Sequence, residues 1–242
     1  MYKLIFLMLL SVSFFVNAQQ LYSSIDSMIG HFYLKSDNNE YPWRKKDSDA
    51  NVSDYTLCHN DFFNPQRQQF IIVMCPNMWQ ENIVNTPPPT DVYIMQKTVG
   101  GYILLVSEKN VGADFLGVVD IGNAEKAIHF TYSERNPNQG YSQAHDNLSI
   151  ISGHVLKKIA EWTSLRDNTE FVDSAVPDTR VSSEKIENTI IIDDHQKYLK
   201  YYPLTITSIG KVGEQKVNKK YLIDYSPKEE RYLVPDELNK SY

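Results

Sequence analysis

Gln143-Ala144-His145-Asp146-Asn147-Leu148-Ser149-Ile150-Ile151-Ser152-Gly153-His154-Val155-Leu156-Lys157-Lys158-Ile159-Ala160-Glu161-Trp162-Thr163 places Leu148, Ile151, Val155, Ile159 and Trp162 at intervals of three and four. Lys157, Lys158 and Glu161 fall off that stripe. The spacing predicts a single long amphipathic helix over about 143–163. Gly153 inside it costs about 1 kcal/mol relative to Ala and suits close packing on a sheet. Everything around this stretch reads as strand, so the helix is expected to cover one sheet face.

Upstream, Gln69 to Met74 is a short apolar run rich in β-branched residues. Val92 to Lys97 and Tyr102 to Ser107 flank Val99-Gly100-Gly101, the clearest hairpin signal in the chain. Phe115 to Ile121 and Ala127 to Ser133 continue the meander, with a turn at Gly122-Asn123. Downstream, strand signals recur at Thr189 to Ile192, Leu199 to Thr207, Lys220 to Tyr225 and Arg231 to Val234. Pro203 pushes the second of these to an edge or a bulge. Leu21, Ile25, Met28, Ile29 and Phe32 recur at helical spacing and predict a short helix over 21–32. Residues 35–54, with Trp43-Arg44-Lys45-Lys46, read as a polar surface loop whose basic triplet is solvated. The expected fold class is α+β: antiparallel meanders packed with one main helix near 143–163, plus the short N-terminal helix. A boundary near residue 140 separates a β-rich lobe, 19–140, from a helix-plus-β lobe, 141–242; one continuous domain fits the same pattern.

The 242 residues are 42% hydrophobic, 12% aromatic and 22% charged, with a net charge of −6. That composition is globular, and its acidity argues against a nucleic-acid binder. The N-terminus carries Lys3, an apolar run from Leu4 to Val16, and Val16-Asn17-Ala18. These residues are the parts of a secretory signal peptide cleaved after Ala18, too short an apolar run for a membrane span. Secretion or a periplasmic location follows as an expectation. Two cysteines, Cys58 and Cys75, are then expected to form a disulfide, worth about 3 kcal/mol in the chain-entropy model. Removing residues 1–18 takes away one Lys and no acid, so the mature chain is one unit more acidic.

Chemistry is less legible. Gly-x-Ser-x-Gly, the Walker loop, the dinucleotide fingerprint, His-Glu-x-x-His and the EF-hand pattern are missing, and no cofactor or metal is expected. On a helix, His145 and His154 would point about 180° apart and share no ion, while Asp146 would cap its start. Asp193-Asp194-His195 follows the apolar Ile190-Ile191-Ile192. Extended geometry turns Asp193 and His195 to one face, an arrangement that can orient a general base, though a polar turn after a buried strand accounts for the same residues. His59 and Asp61 repeat the spacing beside Cys58. Trp162 is expected in the core, and Tyr198, Tyr201 and Tyr202 form an aromatic group suited to a protein interface or to half-buried sheet positions. The function expected on these grounds is an exported binding or neutralising protein, most concretely an immunity or inhibitor protein with a protein partner. A basic partner would be steered by the acidic chain. The alternative is a secreted hydrolase built around Asp193 and His195.

Overall fold

A computed structural model describes residues 20–46, 54–77, 90–136, 140–170 and 182–240. The proposed signal peptide, and with it the Ala18 cleavage point, lies outside the described residues. Of the described residues 63% are in strands and 9% are helical, with two large antiparallel sheets. This overturns the α+β expectation.

The correction centres on residues 143–163, which form a β-hairpin rather than a helix. Strand β10 (Tyr141–Ser152) pairs antiparallel with β11 (Val155–Asp167). Gly153, at φ 63°, takes the first corner of the two-residue turn between Ser152 and Val155. The helical spacing has a physical origin. The ladder carries register shifts at Ala144/His145 and at Leu148/Ser149. Each inserts an extra residue and changes the phase of in–out alternation. Apolar residues on two strands with bulges thus fall at intervals of three and four without any helix being present.

The first sheet has the order β1-β7-β6-β5-β4-β3-β2. Its strands are β1 (Leu21–Tyr22), β2 (Tyr33–Lys35), β3 (Trp43–Lys45), β4 (Asp54–Asn64), β5 (Gln69–Pro76), β6 (Asp91–Thr98) and β7 (Gly101–Glu108). The β6–β7 hairpin turns where the Gly-Gly signal predicts it. The helix expected over 21–32 is shorter: α1 spans Ile25–Phe32, and a Ser24–Ser27 capping box closes its start. Its Met28 and Ile29 are buried against Tyr33, Ile72, Tyr93 and Met95 on one face of this sheet. The opposite face presents Ile71, Val73, Ile94 and Val106, which pack on Ile128 and Phe130 of the second sheet.

The second sheet has the order β14-β13-β12-β11-β10-β9-β8. Its remaining strands are β8 (Asp114–Gly122), β9 (Glu125–Asn136), β12 (Glu184–Ile192), β13 (Leu204–Val212) and β14 (Gln215–Ile223). The change of sheet falls between Glu108 and Asp114, and residue 140 lies between β9 and β10 of one sheet. β11 and β12 pair through only three residues each, Leu165–Asp167 with Lys185–Glu187. Beyond them the sheet folds over, and Leu148, Ile159 and Trp162 meet Leu204, Ile206 and Ile223 in a shared core. Asn188 patches the parting strands: its amide donates to the Thr163 carbonyl at 2.6 Å and its carbonyl oxygen accepts from Ser208. The fold nearly closes on itself, because Tyr202 N–H donates to Ile121 O at 2.6 Å and Asn123 N–H to Leu199 O at 2.9 Å.

Candidate functional site

Cys58 on β4 and Cys75 on β5 are bonded, with Cα atoms 5.8 Å apart. The bond lies next to the β4 bulge between Leu57 and His59. It fits an oxidising compartment, extracellular or periplasmic. Among the described residues no helix is long and apolar enough to cross a membrane. His59 faces the second sheet, its ring 4.7 Å from Phe115, and the exposed Asp61 accepts from Phe62 N–H at 2.6 Å, so the two do not converge.

Asp193 and His195 do come together. His195 Nδ1 lies 2.5 Å from Asp193 Oδ1, which also accepts from the His195 N–H at 3.1 Å. The hydrogen bond to His195 holds Asp193 below the usual carboxylate range, and the same contact raises the imidazole. The side chain of His195 is 90% exposed, in the turn after β12. The pair has the form of an Asx turn, and no hydroxyl or thiol is hydrogen-bonded to the imidazole among the described residues.

Two polar clusters escape sequence reasoning. Asp146, expected as a helix cap, is a β10 residue accepting from three neighbours: His129 Nε2 at 2.9 Å, Thr131 at 2.7 Å and Ser164 at 2.6 Å. Burial pushes its carboxyl up, but the hydrogen bonds from His129, Ser164 and Thr131 outweigh it and hold it below the ordinary value. The carboxylate is the hub, so Ser164 contacts the acid and not the imidazole. A nucleophile needs the base next to it; this arrangement orders a sheet junction instead. Strand alternation, His129-x-Thr131 opposite Asp146, was the available signal, hidden by the helical reading.

The second cluster corrects the solvated basic triplet. Lys45 is buried on β3, its ammonium 2.8 Å from both Asp91 Oδ1 and Asn110 Oδ1. Asp91 further accepts from Tyr33 and from the Asn110 N–H at 2.8 Å. The pair is desolvated yet its partners satisfy it, which is how a buried charge survives. Among the described residues no group of three or more His, Cys, Asp or Glu converges as a metal site. His145 on β10 stacks near Tyr132 at 6.4 Å, and His154, in the turn between β10 and β11, contacts Leu105 O at 3.0 Å; the helix on which their spacing was judged does not form. Trp162 is fully buried. Of the tyrosine group, Tyr202 is buried, Tyr201 stacks on Tyr225 at 3.8 Å, and Tyr198 is exposed.

One exposed patch on the first sheet is aromatic. On the face of the first sheet that α1 packs on, the helix is only eight residues long, and among the described residues the Phe62 end of that face is exposed. There Phe62 and Phe70 sit opposite one another on β4 and β5, ring centroids 4.3 Å apart, and Tyr102 on β7 meets Phe70 at 5.7 Å. Phe62 is 47% exposed, and Leu57 on the same strand is exposed too. The chain matches no known family model, no curated protein and no solved structure.

Proposed function

We propose that this protein is an exported binding or neutralising protein, most concretely an immunity or inhibitor protein, whose protein partner docks on the Phe62–Phe70–Tyr102 surface. The aromatic row, with Phe62 exposed and Phe70 and Tyr102 half-buried behind it, carries the reading. Large, stiff aromatic side chains bury much area at little entropic cost and dominate the energetics of protein interfaces. The row lies on strands locked by a disulfide and a seven-stranded ladder, so little ordering is required on binding. The net charge of −6 favours a basic partner. The test is affinity capture from the envelope extract of the producing cell, followed by titration of the captured protein. Phe62→Ala is expected to weaken binding about tenfold or more with an unchanged melting temperature. A captured protein indifferent to Phe62→Ala, or turnover in a hydrolase screen abolished by His195→Ala, overturns the proposal.

A further inference from the structure

The outward face of β12–β14, remote in sequence from the aromatic row, is organised by charge. Lys185, Lys211 and Lys216 stand side by side across one end, as the strand register places them. At the other end Asp193 follows β12 and Asp224 follows β14. Asp193 N–H still bonds to Pro203 O at 2.9 Å, continuing the ladder. Between the ends, Ile191, Ile209 and Leu222 are 59%, 59% and 67% exposed, and the exposed Glu187 stands beside Ile209, one acid among the three lysines of the basic end. All share one face by strand alternation.

The two ends are symmetric about one row. Thr189, Thr207 and Lys220 lie opposite one another on the three strands. Along β12, Lys185 and Asp193 are equidistant from Thr189; along β14, Lys216 and Asp224 are equidistant from Lys220. A two-fold axis along that row would bring Lys185 onto Asp193 and Lys216 onto Asp224, with Lys211 falling on Pro203 and Glu187 on Ile191. We propose that this face binds a second copy of the chain, face to face with strands reversed, so that Lys185 and Lys216 of each copy meet Asp193 and Asp224 of the other.

Physical scale supports it. The ends are about 26 Å apart at strand rise, beyond the Debye length of about 8 Å at physiological salt. Each end therefore presents its own sign of charge despite the acidic total. Lys185 is already steadied by Asp167 at 3.1 Å. Lys220 brings like charges to the axis, but it stands on the edge strand, where its stem can lie on the apolar face and its head reach water. Three strands about 4.8 Å apart and nine residues long make a face of roughly 14 by 30 Å. That is at the low end for a specific interface, so the association is weak and reversible.

Sedimentation of the full mature chain over about 1–500 µM tests this. Wild type is expected to dimerise within the range. Lys185→Glu with Lys216→Glu, and separately Asp193→Lys with Asp224→Lys, are each expected to weaken self-association about tenfold or more. An equimolar mixture of the two variants restores every opposite-charge contact and should dimerise as wild type does. A wild type that stays monomeric, or a mixture no tighter than either variant alone, overturns the proposal. Should a charge variant fail to fold by circular dichroism, Leu222→Glu replaces it, and a dimer unaffected by that change is equally fatal.

Discussion

Asp146 accepts three hydrogen bonds where three strands meet: His129 and Thr131 from β9, Ser164 from β11, and its own β10. Its carboxyl is held below the ordinary value in the folded chain. A depressed acid stabilises the fold above its unfolded pKa, and that contribution disappears as pH falls through the folded one. Asp146→Asn should therefore cost about 1–3 kcal/mol at neutral pH, since it breaks a charge-assisted acceptor with three donors. The gap between variant and wild type should close progressively below about pH 4, near the unfolded carboxyl value. Urea melts at pH 7 and pH 3 check this; a gap of constant size would mean that Asp146 is not the charged hub described.

The β10–β11 hairpin separates strand from helix at the level of single side chains. Val155 and Ile159 belong to one stripe on a helix, yet in the hairpin Val155 is 54% exposed beside the turn and Ile159 is 1% exposed in the core. Ile159→Asp should prevent folding or cost several kcal/mol, because it buries an unpaired charge. Val155→Asp should change stability by no more than about 0.5 kcal/mol. Thermal melts of the two variants decide it, and equal losses would return the segment to a helix. The β6–β7 hairpin was legible in the sequence because two short apolar runs flank its Gly-Gly turn signal, which outweighs the register shift at Ile94/Met95. The β10–β11 bulges shifted the phase of alternation, and Lys-rich β14 was read short because exposed polar residues on both faces carry no period. The disulfide was legible from count and compartment. Lys45–Asp91 and the Phe62–Phe70–Tyr102 row were not, since partners 46 residues apart or on three strands meet only through sheet order.

Closure of the second sheet rests on one small residue. A Cβ at Gly122 would fall 1.6 Å from the Lys200 carbonyl oxygen, where the 199–202 segment is bonded to β8. Gly122→Ala must push two backbones apart and should cost about 3 kcal/mol. Gly30→Ala in α1, with nothing within 4 Å of its Cβ, should instead be neutral or gain up to about 1 kcal/mol. Calorimetry on the pair measures both, and similar values for the two would contradict the close approach. The order of the two sheets along the chain also has a temporal meaning. Every strand of the first sheet precedes every strand of the second. A ribosome therefore delivers the first sheet complete, with Ile71, Val73, Ile94 and Val106 aligned on one side, before Ile128 and Phe130 exist to cover them. Nascent chains lengthen at about 5–20 residues per second, so this adhesive surface stays open for roughly a second or more. The growing chain must spend that interval in the hands of a chaperone or held unfolded, and the final closure of residues 121–123 on 199–202 waits until synthesis is nearly over.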